Sequence, residues 1–311
     1  MKLLSFVIPC YRSEKTIQPV IDEIIKTVME KNEEYDYEII LVNDCSPDSV
    51  YDVLCELAAG NNRIKVVNLA KNSGKHAAVL CGYLYAKGSI IVNLDDDYQC
   101  PVYELWKFVD RIEAGYDVVI AKYYEKKQSK FKNFGSTVNA KMAEVLLSKP
   151  RDLHYENFSV MKKFVAEEMI KYSNPFPYLE GLLLSVTHNI ANIEIEERER
   201  LDSLKTGFTF KKSLALFLNG MTAFSVKPLR IATIIGMITS GIGLLYAVII
   251  VIRRLIGAIS VQGYSSLLAA LLIIGGVIMM MLGIIGEYIG RIYICINGLP
   301  QYTVRNTINM D

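Results

Sequence analysis

Apolar residues follow two rhythms along this chain. Up to about residue 200 they come in short runs between polar turns, and after residue 230 they continue almost without interruption. In the first part, Leu3–Pro9 (LLSFVIP), Glu38–Asn43 (EIILVN), Ile64–Leu69, Ile90–Leu94 and Asp117–Ala121 are short and apolar on both faces, as strands buried in a doubly covered sheet are. The spacing of Ile17, Ile21, Ile24 and Val28 predicts a helix entered near Pro19. Ser46 suits the N-cap and Pro47 the first turn of a second helix, with Val50, Leu54 and Leu57 as its buried stripe. His76–Ala86 and Pro101–Glu113 predict two more helices, and Ile190–Ile195 a further strand. Strands alternating with helices at this spacing predict an α/β fold around a mostly parallel sheet. All these strands lie before residue 200, so a fragment ending at Val226 is expected to keep its core.

The second rhythm is different in kind. Residues 231–252 carry no charge, and neither do residues 255–286. Roughly 20 apolar residues, at about 1.5 Å each, cross a bilayer core, so two transmembrane helices are expected at about 231–252 and 267–289, with a cytoplasmic tail over 290–311. Ahead of them, Phe210, Leu214, Phe217, Leu218, Met221 and Phe224 fall near one helical face, with Lys211 and Lys212 off it. That pattern predicts an interfacial helix over 209–230, with a core helix of the soluble part as the alternative. Lys211, Lys212, Lys227 and Arg230 precede the first span and Arg291 and Arg305 follow the second, against Arg253 and Arg254 between them. The positive-inside rule then puts both ends in the cytoplasm, as in a multi-pass inner-membrane protein whose soluble domain faces the cytoplasm.

Composition adds less. The chain has 311 residues, 51% of them hydrophobic, with 34 basic against 33 acidic residues, a balance that gives no footing for nucleic acid. Six cysteines without a CxxC pair read as reduced cytosolic thiols, and the apolar part of MKLLSFVIPCYR is too short for a signal peptide.

The candidate chemistry centres on Ser89–Pro101 (SIIVNLDDDYQCP), where an apolar strand runs into three aspartates. Along an extended chain Asp95 and Asp97 would share one side and Asp96 the other. Two such carboxylates, with the oxygens of a substrate diphosphate, are a typical set for Mg²⁺ or Mn²⁺. Taken alone, the aspartates also fit an acidic turn before the helix at Pro101. Three more strand ends are polar: Pro9-Cys10-Tyr11, Asn43-Asp44, and Lys71-Asn72-Ser73-Gly74-Lys75 after strand three. In an open α/β sheet ligands bind beyond the carboxyl ends of the strands, so the four together point to a nucleotide site. With no GxGxxG and no GxxxxGK[ST], dinucleotide binding and P-loop hydrolysis are unsupported.

The segments SFVIPCYRSE, EIILVNDCSPD, NSGKHAAVLCGYLYAKG and LDDDYQCP resemble family 2 glycosyltransferases of the GT-A fold. Together with FVAEEMIKYSNPFPYLEGLLL, FLNGMTAFSVKPLRIAT and GEYIGRIY, they resemble the polyprenyl-phosphate glycosyltransferases, of the bactoprenol glucosyltransferase and dolichol-phosphate mannose synthase type, over nearly the whole length. The resemblance implies a catalytic domain over 1–165 and an acceptor-side extension over 166–208. It also implies a UDP- or GDP-linked sugar donor, a polyprenyl phosphate acceptor at the bilayer, Mg²⁺ or Mn²⁺, inversion at the anomeric carbon, and a homo-oligomer. By it Asp44 contacts the base, Asp95 and Asp97 the diphosphate through the metal, and Gln99 the donor. Pro9, Tyr11, Glu14, Lys71, Gly74 and Asp96 complete the candidate donor site.

Lys122, Lys126 and Lys130 of the basic stretch Lys122–Lys132, with Ser136, Arg198, Arg200 and Lys205, are candidates for the acceptor phosphate; a solvated charged face is the alternative. Glu180 stays open between base, acceptor-site residue and loop anchor. The chain departs from many relatives at Phe158-Ser159-Val160, where they carry an arginine, and in Arg200–Thr209, which has an extra residue and a displaced glycine. A processive polysaccharide synthase would need a QxxRW motif, and the single tryptophan, Trp106, does not supply one. A silent nucleotide-binding scaffold fits poorly with an intact aspartate pair. A transferase extending a lipid-linked oligosaccharide at a hydroxyl is the remaining rival.

Overall fold

The computed structural model describes residues 1–123, 153–175, 177–196, 198, 227–256 and 264–310. They form two units, Met1–Ala215 with Gly298–Asp311, and Leu216–Asn297. In the first unit, β1 (Lys2–Cys10), α1 (Ile17–Met29), β2 (Tyr35–Asn43), α2 (Val50–Gly60), β3 (Ile64–Leu69), α3 (Lys75–Tyr85), β4 (Ile90–Asn93), α4 (Leu105–Glu113) and β5 (Val118–Tyr123) alternate as expected. They are followed by β6 (Ser159–Lys162), α5 (Lys163–Met169), α6 (Leu179–Val186), β7 (Ile190–Ile195) and, after the second unit, β8 (Val304–Ile308). The sheet has the order β7-β5-β6-β4-β1-β2-β3-β8. β1 is parallel to β2 and β4, β2 to β3, and β5 to β7; β6 and β8 run antiparallel to their neighbours.

The strands alternate their side chains between two helical layers. Leu4, Phe6 and Ile8 of β1 join one core with Ile17, Ile21 and Ile24 of α1, Val50 and Leu54 of α2, and Leu105, Phe108 and Ile112 of α4. Val7, on the opposite face, meets α3 at Gly82, where an added Cβ would fall 2.3 Å from a Val7 methyl. Only glycine lets that helix sit so close to the sheet. Across β2 and β3, Glu38 and Lys65 form a buried ion pair at 2.6 Å. Glu38 also accepts from the Ser5 hydroxyl and from the amides of Lys87 and Gly88, at 2.6 and 3.2 Å for the amides.

Four differences from the sequence reading have local causes. α2 starts at Val50, after Ser49, because the Ser46 hydroxyl accepts the Arg12 amide at 2.8 Å instead of capping the helix. The helix expected from Pro101 opens as a 3₁₀ turn, Val102–Glu104. β6, α5 and α6 are additions; β6 is four residues long and completes its pattern only between β4 and β5. The tail is not a tail. β8 lies beside β3, so not every strand precedes residue 200. A side-chain amide ladder ties it in: Asn43 donates to Asn68 at 2.9 Å, Asn68 to Asn306 at 3.0 Å, and Asn306 to the Tyr51 hydroxyl at 2.6 Å.

The second unit holds two long helices, α7 (Lys227–Leu255) and α8 (Tyr264–Ile296). Both outrun the apolar stretches because the helix continues into flanking polar residues. Among the described residues one segment, Ile274–Ile296, is long and apolar enough to cross a membrane, and Ala232–Gly243 is a shorter apolar stretch. Of the expected interfacial helix over 209–230, residues 209–226 lie outside the described residues and the rest open α7.

Candidate active site

Because β1, β2, β3 and β4 run in one direction, their carboxyl ends open on one rim, and the loops leaving them are tied to one another. The Tyr11 amide donates to Asp96 at 2.9 Å, the Asp44 amide to the Cys10 carbonyl at 3.1 Å, and the amides of Ser73 and Gly74 to the two oxygens of Asp44 at 2.6 and 2.9 Å. Glu14 accepts from the Ser49 amide at 3.2 Å. Three non-glycine residues here have left-handed backbones: Arg12 (φ 59°), Cys45 (φ 50°) and Tyr98 (φ 66°). Such conformations persist where surrounding contacts over-determine them, and they concentrate at functional sites.

β4 stops at Asn93, so strand alternation no longer governs the three aspartates. Each finds its own partners. Asp95 accepts from the Lys75 ammonium on one oxygen and from the Asn157 amide at 2.8 Å on the other. Asp96 turns to the β1 loop, away from Asp95, and Asp97 accepts from the Gln99 amide at 3.1 Å. Burial, with the charges of Asp95 and Asp97 adding to it, pushes the Asp96 carboxyl up to about 6. Burial also raises Asp44, against the pull of the Ser73 and Gly74 amides.

Among the described residues no cluster of three or more His, Cys, Asp or Glu side chains is arranged to hold a metal. The donor set therefore suits a divalent ion only if substrate supplies the remaining oxygens, as nucleoside diphosphates do for Mg²⁺. The ammonium already on Asp95 marks that carboxylate as a cation site, so the residues present fit the ion. Cysteine chemistry is disfavoured: burial raises the Cys10 thiol, and pushes Cys81 and Cys100 up to about 12.

The remaining candidates fall in several places. Pro9 is buried in β1, whereas Tyr11 is 43% exposed at the rim under the Arg12 guanidinium. Lys71 is exposed and Gly74 takes a positive φ of 85° at the start of α3. Asp44, expected at the base, has both carboxylate oxygens on its neighbouring loop. Gln99 and Arg198 exchange contacts, the Gln99 side chain donating to the Arg198 carbonyl at 3.2 Å and the Arg198 amide to the Gln99 carbonyl at 3.2 Å. The Arg198 guanidinium is held by Glu23 at 2.5 and 2.6 Å and lies over the rings of Tyr98 and Tyr103. It is thus turned toward α1 and the loop after β4. Lys122 pairs with Glu194 across β5 and β7 at 2.7 Å. Lys126, Lys130, Ser136, Arg200 and Lys205 lie outside the described residues. Glu180, nearly buried at the start of α6, accepts the Tyr178 hydroxyl at 2.6 Å.

Three residues were not among the candidates. Lys75 belongs to a polar loop, Asn157 carries no motif, and His76 falls within a predicted helix. His76 accepts the Leu179 amide at 3.1 Å and stacks on Tyr178, with ring centroids 5.8 Å apart, so it joins α3 to the Glu180 turn. Burial, then the neighbouring Lys75 charge, lower its pKa to about 4, leaving it a neutral acceptor.

Comparison with known proteins agrees with this layout. The model of Glycosyl transferase family 2 matches residues 5–169, and that of the GtrB C-terminal hairpin matches residues 227–292. An uncharacterized glycosyltransferase of Bacillus subtilis, YkcC, is 32% identical over 99% of this chain and 94% of its own. The SfII prophage-derived bactoprenol glucosyl transferase of Shigella flexneri is 30% identical over 98% of both chains. An undecaprenyl-phosphate 4-deoxy-4-formamido-L-arabinose transferase of Proteus mirabilis is 29% identical over 99% of this chain and 94% of its own. Among solved structures, glucosyl-3-phosphoglycerate synthase from Mycobacterium tuberculosis, in complex with Mn²⁺, uridine-diphosphate and phosphoglyceric acid, shares the fold at a TM-score of 0.51. That likeness has 20% identity and covers 70% of this chain and 75% of the other. With the family model spanning more than half of the chain and full-length relatives alongside it, the polar rim belongs to a glycosyltransferase of the GT-A fold, and the chain is a member of glycosyl transferase family 2.

Proposed function

We propose that this enzyme transfers a sugar from a nucleoside diphosphate sugar to a polyprenyl phosphate at a membrane surface. The observation that carries the reading is the reach of the similarity: the bactoprenol glucosyl transferase of Shigella flexneri aligns over 98% of the chain, helical hairpin included. A lipid acceptor accounts for the hairpin, which a soluble acceptor would not require. Two crossings also fit the path of the chain, which leaves the sheet unit and returns to it as β8, so both ends belong on one side. The positive residues flanking the hairpin favour the cytoplasmic side.

In the reaction the acceptor phosphate oxygen bonds to the anomeric carbon as the bond from that carbon to the diphosphate breaks, with inversion. Asp95 and Asp97 would hold Mg²⁺ or Mn²⁺, in line with the Mn²⁺ and UDP of the mycobacterial synthase. A bound divalent ion stabilises the charge developing on the leaving diphosphate. Gly74 and Ser73, their amides fixed by Asp44, shape the loop beside it. A phosphate monoester, with a second pKa of about 6, is anionic at neutral pH and needs cations to position it rather than a base. Glu180, bonded to Tyr178, accordingly serves as an anchor of the acceptor-side turn.

The test compares polyprenyl phosphate, polyprenyl diphosphate-sugar and free oligosaccharide as acceptors, in wild type and in Glu180→Gln. Polyprenyl phosphate alone should react, and Glu180→Gln should keep measurable transfer. Reaction of only the hydroxyl-bearing acceptors, abolished in Glu180→Gln, would establish the oligosaccharide-extending alternative.

A further inference from the structure

Both oxygens of Asp95 are engaged, and the stronger partner is a cation. The Lys75 ammonium sits on one oxygen and the Asn157 amide on the other. The two ends of Lys75 differ in freedom. Its backbone opens α3 directly after Ser73 and Gly74, whose amides are fixed by Asp44, whereas its side chain is 38% exposed. Only the tip has to move for the ammonium to leave Asp95. A divalent ion approaching Asp95 meets a carboxylate already neutralised and must displace that ammonium. Once displaced, the ammonium remains tethered to the loop between β3 and α3, where a diphosphate bound at this rim would offer its charge an acceptor.

We propose that Lys75 is a placeholder cation: it neutralises Asp95 in the empty site and passes to the nucleoside diphosphate when the divalent ion takes its place. The inference rests on the reading of Asp95 as a metal ligand and adds to it a coupling between metal and nucleotide. The ion alone binds weakly because it competes with the ammonium. Nucleotide and ion together bind well because the diphosphate receives what the ion displaces. By linkage each ligand then raises the affinity for the other. Lys75 is therefore a positioning residue whose removal should have opposite effects on the two ligands, an outcome that a loss of folding or of local packing does not produce.

The experiment uses the full chain in detergent. Free Mn²⁺ is followed by electron paramagnetic resonance, with no nucleotide and with UDP or GDP, whichever the wild type binds, and nucleotide affinity is measured by calorimetry. Lys75→Met should bind Mn²⁺ alone on the order of five- to tenfold more tightly, the scale for removing one partly exposed competing charge. Its affinity for the nucleotide in saturating Mn²⁺ should fall by about tenfold, as expected for a lost charge-assisted contact. Lys75→Gln repeats the measurement should the Met variant not fold, and thermal melting reports folding for each. Lys15→Met removes an exposed charge from the loop after β1, and should leave the affinity for Mn²⁺ alone unchanged. Unchanged or weaker Mn²⁺ binding in Lys75→Met, or equal tightening in Lys15→Met, would overturn the placeholder role while leaving the metal site standing. A wild type that binds no Mn²⁺ even with nucleotide, or an Asp95→Asn variant that binds it as well as wild type, would instead remove the metal site itself, and the placeholder with it.

Discussion

Glu38 and Asp97 are carboxylates with opposite duties. Glu38 is walled in with Lys65 far from the rim; burial pushes its pKa up, but the Lys65 charge, the Ser5 hydroxyl and the Lys87 amide outweigh this and leave it below the usual carboxylate range. A lowered carboxylate stabilises the fold at any pH above its unfolded value of about 4.3, and that contribution is lost as pH falls through the folded pKa. Glu38→Gln strands a buried ammonium, a change that costs about 3–5 kcal/mol, so its melting temperature at neutral pH should drop by about 10 °C. The deficit against wild type should shrink as pH falls below the unfolded value of about 4.3 and on through the lowered folded pKa, where the wild-type carboxylate also protonates. Adding Lys65→Met should restore part of the loss; an additive double variant would show that the pair is not the cause. Asp97 sits in the loop after β4, and Asp97→Asn keeps the shape while removing the charge. Its kcat should fall by a factor on the order of 10² or more, and excess chelator should silence the wild type. Full turnover in either case would remove the metal from the mechanism.

At the scale of elements, the loop after β4 is held from beneath by the chain leaving β7. Arg198 is bidentate to Glu23 of α1, stacked on Tyr98 and Tyr103, and exchanges backbone contacts with Gln99. Glu23 raises the guanidinium pKa further, so its charge is constant at every working pH. A clamp and a phosphate ligand predict different kinetics. If Arg198 braces the metal loop, Arg198→Met should raise the KM for the donor several-fold and lower the melting temperature, leaving the KM for polyprenyl phosphate near wild type. A selective rise in the acceptor KM would return Arg198 to the acceptor site.

For the whole molecule, β8 changes what counts as the catalytic domain. The sheet ends at residues 304–308, on the far side of both long helices in sequence, and Asn309 adds contacts from its side chain to the carbonyls of Ala58 and Ile64 at 2.8 and 2.9 Å. A fragment ending at Val226 loses that strand and bares the edge of β3, along with one arm of the asparagine ladder. We expect it to melt well below the full chain and to aggregate, as sheets with an open edge do. Joining residues 298–311 to residue 215 through a flexible linker should recover most of the difference. Equal melting of the short and rejoined fragments would show that β8 contributes little.

How much of this was legible in the residues follows from which signals are local. Short apolar runs and helical spacing set β1 to β5, β7, α1, α3 and α4 within a few residues, because a strand or helix that buries its own face carries that face in its own sequence. The strand-end polar residues foretold the rim for the same reason, since parallel strands place their ends together. Motifs named the family without any geometry. Pairing between residues distant along the chain came instead from the fold. Val304–Ile308 alternates too weakly to announce a strand, and becomes one only beside β3, where its asparagine finds Asn68. Lys75, Asn157 and Asp95 lie in three segments, and Arg198 and Glu23 stand 175 residues apart. A charged side chain shows its sign in the sequence; the carboxylate it answers is chosen by the fold.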